Sequence, residues 1–321
     1  MPVTAGPDAT APPPRSGGGA RGRHPVEEWF DGVWARTRLV RVLAGGEDAG
    51  PLGTRPLLGS VESDDALAEL RALSTRGAIG DDTCRCHGSL TIALHDAEGD
   101  LLGRASLHGM DALLWEGGRF CGNLDVADPV GLVLFLARHG AVRWLAHLSG
   151  RLAYALGLRE GRPQFREAGN GRHGARLLEV RRVPEPLRPR LAGMSGHDCG
   201  RLPDDQVEEL RRLLSRGEPD PQRRAMLLLA WLGRLPEPME ADYGEGVLVR
   251  SLLRDLRPLA AARAAGPADP HVALGLLRWL GGQRETEGVD ADALAEYVGA
   301  FLRKARGAHG IGGRSGTLIT S

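Results

Sequence analysis

Lysine is nearly missing from this chain. Lys304 is the single lysine among 41 basic residues, so almost all positive charge is arginine. With 46 glycines and abundant alanine, that skew points to a high-GC bacterial genome, and arginine abundance loses value as a functional signal. Net charge is missing too. The 41 basic residues are matched by 41 acidic ones, which leaves no global field to draw the protein onto nucleic acid or an anionic membrane. No apolar run approaches the roughly 18–20 residues of a membrane span, and the first 24 residues lack the apolar segment of a signal peptide. The expected location is therefore the cytoplasm. Cysteine is scarce, at four residues, and in a cytosolic chain these are thiols or metal ligands rather than structural disulfides. Four motifs are absent: the P-loop, the dinucleotide G-x-G-x-x-G after a strand, H-E-x-x-H and G-x-S-x-G. Nucleotide-dependent and common hydrolytic chemistry become poor expectations.

What is there suggests about two domains, since ~150 residues is a common domain size. Residues 1–24, rich in Pro, Gly and Ala, have little to bury and read as a disordered tail. Residues 25–157 read as an α+β domain. Trp29, Phe30, Val33 and Trp34 share one helix face, and short strands follow at 39–43 and 56–61. Ser63 caps a helix over 63–76, with Asp64 and Asp65 in its first turn and Gly77 as its terminator. Leu90, Ile92 and Leu94 then alternate with Thr91, Ala93 and His95, opening a four-stranded antiparallel meander with later strands at 101–107, 112–115 and 119–121. Asp128-Pro129 starts an apolar, buried helix over 129–138, and 141–157 also reads as helical.

Residues 158–203 change to an Arg/Gly/Pro-rich linker, with one short strand expected at 177–180. Its arginines are diluted by glutamates and not interleaved with aromatics, so a solvated face fits better than a nucleic-acid surface. Ser195, His197, Asp198 and Cys199 lie too close in sequence to converge as a triad and read as turn chemistry. Helices dominate 204–306, at 204–217, 220–233, 245–262, 269–281 and 290–306, the first capped by Asp204. Residues 307–321 read as a flexible tail.

Chemistry concentrates in the meander. Cys84, Cys86, His87 and Cys121 make a Cys3His set suited to zinc, with His108 able to replace His87. The meander's connectivity is expected to bring Cys84, Cys86, His108 and Cys121 to one edge of the sheet. There His108 and Cys121 stand two strands, or about 10 Å, apart at the backbone. The bland alternative is a set of small buried thiols. The same residues can also be read as a nucleophile site, with Cys121 attacking, His108 as base and Asp125 as orienter.

Two resemblances follow from these motifs. Asp220-Pro221 to Trp231-Leu232-Gly233 parallels Asp269-Pro270 to Trp279-Leu280-Gly281, with Trp231 to Trp279 and Gly233 to Gly281 each 48 residues apart. This resembles HEAT- or armadillo-type repeats, whose period is roughly 40–47 residues. It implies a solenoid-like domain that offers stacking surfaces rather than chemistry. Cys84-x-Cys86, Ser106-Leu107-His108-Gly109, Trp115 and Ala230-Trp231-Leu232-Gly233 together resemble a group of uncharacterised bacterial proteins. That implies that Cys84, Cys86 and His108 act as a unit. The expected fold is thus α+β, an antiparallel meander with packed helices, followed by an all-α short helical repeat. The expected function is a non-enzymatic cytosolic interaction or scaffold protein that binds another protein, with a candidate structural zinc site. The rival is a metal- or cysteine-dependent enzyme centred on Cys121 and His108.

Overall fold

The computed structural model describes residues 25–80, 86–120, 122–156, 165–166, 175–176, 183–192, 202–235, 245–256, 258, 269–281 and 291–309. The tail 1–24, the strand expected at 177–180 and the Ser195–Cys199 stretch lie outside these residues. The fold is α+β, with one antiparallel sheet in the first half and helices dominating the second.

Helix α1 (Pro25–Arg36) buries Phe30, Val33 and Trp34 of the expected stripe together with Val26, while Trp29 is partly buried against the core. Strands β1 (Leu39–Ala44) and β2 (Leu57–Val61) form an antiparallel pair. Helix α2 (Asp64–Thr75) is capped by the Ser63 side chain, which accepts from the Ala66 amide. It carries the chain over one face to β3 (Gly77–Ile79) at the opposite edge. Gly77 is therefore a strand residue rather than a helix terminator. Any Cβ there would lie 1.9 Å from the Asp125 carbonyl oxygen, so the close strand approach demands glycine.

The meander is β4 (Leu90–His95), β5 (Leu101–His108), β6 (Ala112–Trp115) and β7 (Leu124–Val126). It joins the other strands in a seven-stranded sheet of order β2-β1-β4-β5-β6-β7-β3. Of the fourth meander strand expected at 119–121, the described residues Arg119 and Phe120 form a turn. Glu116–Gly118 forms a 3-10 turn with positive φ at both Glu116 and Gly117, and the Glu116 Oε1 accepts from the Arg104 amide. That contact folds the chain back onto β5 and ends the ladder at Trp115, so the strand begins only at Leu124.

Cross-strand partners share a face. The register aligns Leu90 with Leu107, Leu113, Leu124 and Ile79, and Ile92 with Val42, Ala105 and Trp115. This is the apolar face, covered by α1, α2 and α3 (Pro129–Arg138). Asp128 caps α3 through the Gly131 amide, and Leu132, Val133, Phe135 and Leu136 are fully buried, each worth about 2 kcal/mol of removed apolar surface. The opposite face carries Arg41, Ala93 and Arg104 in one row, Thr91, Ser106 and Leu114 in the next, then His108, Ala112 and Asp125. It is the polar face.

Residues 142–148 form 3-10 turns that pass into α4 (Ser149–Ala155), rather than one continuous helix. Two-residue strands β8 (Phe165–Arg166) and β9 (Ala175–Arg176) pair with each other, and α5 (Arg188–Leu191) follows. The later helices are α6 (Asp204–Gly217), α7 (Pro221–Gly233), α8 (Glu245–Leu253), α9 (Pro270–Gly281) and α10 (Ala291–His309). Asp204 lies inside α6 and Pro203 holds the cap position. Helix α8 closes into turns after Leu253, before the expected Ala262, and α10 runs to His309, into the stretch read as a tail.

The two helices that echo each other, α7 and α9, are direct neighbours. A Cβ at Gly233 would lie 1.8 Å from the His271 carbonyl oxygen, and one at Gly275 would lie 1.9 Å from that of Leu229. As numbers rise along α7 they fall along α9, so the pair runs antiparallel with backbones in contact. Helix α9 also packs on the 142–148 turns and α10 on α3, so one apolar core runs from the sheet into the helices.

Candidate functional site

Strand alternation places Ser106 and His108, two residues apart on β5, on the same polar face. His108 is 3% exposed and Ser106 is 1% exposed. Their side chains touch, with Ser106 Oγ 2.7 Å from His108 Nε2. The other ring nitrogen, Nδ1, lies 3.0 Å from Cys86 Sγ. Cys86 reaches it because Gly88 adopts positive φ (67°) just before β4 and interrupts the alternation. A Cβ at Gly88 would also lie 3.3 Å from His108 Nε2, so the bare backbone lies close over the ring. The Cys86 side of the cluster is exposed.

A second segment completes the cluster. The loop between β1 and β2 carries Glu47, whose Oε1 accepts from Ser106 Oγ at 3.3 Å. Arg55 organises this loop from inside. Its guanidinium, 8% exposed, donates to the carbonyls of Gly45, Glu47 and Gly50 and to Thr91 Oγ1. Thr91 in turn donates to the Gly45 carbonyl at 2.7 Å. Burial and the nearby Arg104 push the Arg55 pKa below the ordinary arginine value, and Glu47 pushes it back up. Gly46 is needed where this loop crosses the Cys86 segment, because a Cβ there would lie 2.0 Å from the His87 carbonyl oxygen.

The result is a line of contacts, Glu47 to Ser106 to His108 to Cys86, running from a half-buried carboxylate through two buried side chains to an exposed sulfur. Burial pushes the His108 pKa below the ordinary histidine value, with Glu47 opposing the shift, so the ring is neutral at neutral pH. A neutral imidazole beside a thiol suits a soft divalent metal. With Zn–S near 2.3 Å and Zn–N near 2.0–2.1 Å, tetrahedral ligands stand about 3.6 Å apart, so this pair needs to open by roughly half an ångström.

The other expected site residues divide as follows. His87 is exposed and pairs with Asp48. Asp125 is exposed on β7, with Ala112 of β6 between it and His108. Cys84 and Cys121 lie outside the described residues. Among the described residues no three His, Cys, Asp or Glu side chains group to hold a metal; Cys86 and His108 make a pair. Sequence reasoning missed Glu47, Ser106 and Arg55. Ser106 was visible in principle, two residues before His108 in a strand. Glu47 lies 59 residues from Ser106 and no local pattern marks it.

Among the described residues no helix is long and apolar enough to cross a membrane. Comparison with protein-family models, curated proteins and solved structures returned no match, so side-chain geometry alone carries the functional reading.

Proposed function

We propose that this is a non-enzymatic interaction protein whose sheet carries a structural zinc-type centre. Cys86 and His108 are two of the ligands, and Cys84 and Cys121 are the residues expected to supply the others. The observation that carries this reading is the 3.0 Å contact between Cys86 Sγ and His108 Nδ1, made by a buried imidazole whose other nitrogen is held by Ser106. An outer hydrogen bond of that kind is what orients metal-ligating histidines. The partner is expected to be another protein.

Elemental analysis of the purified chain tests the metal. About one zinc per chain is expected, with loss in Cys86→Ser and His108→Ala. Equal metal content in the wild type and both variants contradicts it. A second reading, Cys86 as a nucleophile with His108 as base, draws on the exposure of Cys86 beside an ordered imidazole. Iodoacetamide separates the two. A metal ligand is alkylated only after a chelator strips the ion, whereas a nucleophile is alkylated at the same rate with and without the chelator.

A further inference from the structure

We infer that Ser106, held by Glu47, fixes the proton of His108 on Nε2 and so makes Nδ1 the metal-ligating atom; this rests on the zinc reading above. A neutral imidazole carries one proton, and whichever nitrogen holds it cannot bind metal. The Ser106 hydroxyl also has one proton, and two acceptors compete for it: the Glu47 carboxylate at 3.3 Å and His108 Nε2 at 2.7 Å. The imidazole contact is shorter, yet charge decides for the carboxylate. A hydrogen bond to an ionised acceptor is about twice as strong as one between neutral groups. Among the described residues the half-buried Glu47 carboxylate accepts from no donor other than Ser106. Giving the serine proton to the ring leaves that charge without a donor. With the serine proton on Glu47, the Ser106 oxygen accepts from Nε2–H. Nδ1 is then left bare, and it is the nitrogen facing Cys86 Sγ.

The arrangement also explains why three distant segments meet here. The loop clamped by Arg55 brings the carboxylate, β5 brings serine and imidazole, and the Gly88 turn brings the sulfur. Ser106 and Glu47 touch no metal themselves. They are positioning residues, and their effect passes through the His108 ring.

The experiment is zinc titration together with imidazole nitrogen NMR on the full chain. It compares wild type, Ser106→Ala, Ser106→Thr and Glu47→Gln. In zinc-loaded wild type the proton is expected on His108 Nε2 and the metal on Nδ1. Ser106→Ala is expected to weaken zinc binding by about 10–100-fold, the usual scale for a lost outer partner. Ser106→Thr, which keeps the hydroxyl, is expected to restore most of it, and thermal melts of the metal-free variants separate misfolding from lost orientation. Glu47→Gln is expected to weaken binding less and to mix the two tautomers. Zinc bound through Nε2, or Ser106→Ala with unchanged affinity, overturns the inference while leaving the metal reading intact. A wild-type chain that takes up no zinc overturns both together.

Discussion

Two buried polar clusters, one in each half of the molecule, are built alike and end differently. In the helices, Arg278 is 2% exposed and donates to the carbonyls of Leu232 at 2.9 Å and Leu235 at 2.7 Å. Leu232 lies in the last turn of α7 and Leu235 just beyond it, where the helix dipole favours a cation. Nearby, Trp231 Nε1 donates to the buried Glu245 carboxylate at 2.9 Å. Each of these bonds starts and stops inside the protein. In the sheet, the line from Glu47 through Ser106 and His108 ends on the exposed Cys86 sulfur. A buried polar group that finishes a helix end stabilises the fold. One whose hydrogen bonds lead outward to a soft donor atom has the form the proposed metal centre needs.

The largest expected effect that tests this contrast is on stability. Arg278→Ala removes a buried guanidinium together with its bonds to the Leu232 and Leu235 carbonyls and leaves a cavity, so a loss of roughly 3 kcal/mol is expected in urea denaturation. Cys86→Ser in metal-free protein is expected to stay within about 0.5 kcal/mol of wild type. A mild Arg278→Ala, or a Cys86→Ser as damaging as it, erases the distinction.

Two glycines sharpen it. Gly275→Ala forces a Cβ against the Leu229 carbonyl and is expected to cost about 1–3 kcal/mol by overpacking, with metal affinity unchanged. Gly88→Ala places a side chain at positive φ beside His108 and is expected to cost about 1–2 kcal/mol and to weaken metal binding as well. Equal metal affinity in the two variants goes against the assignment of Gly88 to the site.

Acid is expected to act more gently. Burial lowers the pKa values of His139, His147 and His271. A histidine with a depressed folded pKa binds more protons when unfolded. Its stability contribution is therefore complete above the unfolded value of about 6.5 and is lost as pH falls through the folded pKa. Stability of the metal-free chain should thus decline on acidification below about pH 6.5, and His271→Gln should make that slope shallower. A slope unchanged by His271→Gln assigns the acid sensitivity to other groups.

Much of this fold was legible because its signals are local. The Ser63 and Asp128 caps act within three residues, and the alternation of Leu90, Ile92 and Leu94 marks β4 by itself. Errors fell where a distant group decides. The Glu116 contact with the Arg104 amide delays the fourth strand to Leu124, and the approach of the Asp125 carbonyl turns Gly77 from a terminator into a strand residue. The echo between α7 and α9 was visible as spacing. Its cause, glycines meeting each other's backbones antiparallel, was not. At the site, Cys86 and His108 were readable as chemistry-bearing residues that strand connectivity brings together. Glu47 was not, because only the loop built around Arg55 carries it to Ser106.

Cobalt substitution tests the central claim most directly. Thiolate and imidazole ligation in a tetrahedral site is expected to give the cobalt-loaded wild-type chain intense visible bands and a sulfur-to-cobalt charge-transfer band in the near ultraviolet, both diminished in Cys86→Ser. A weak six-coordinate spectrum that is identical in the wild type and Cys86→Ser contradicts a metal centre built on Cys86 and His108.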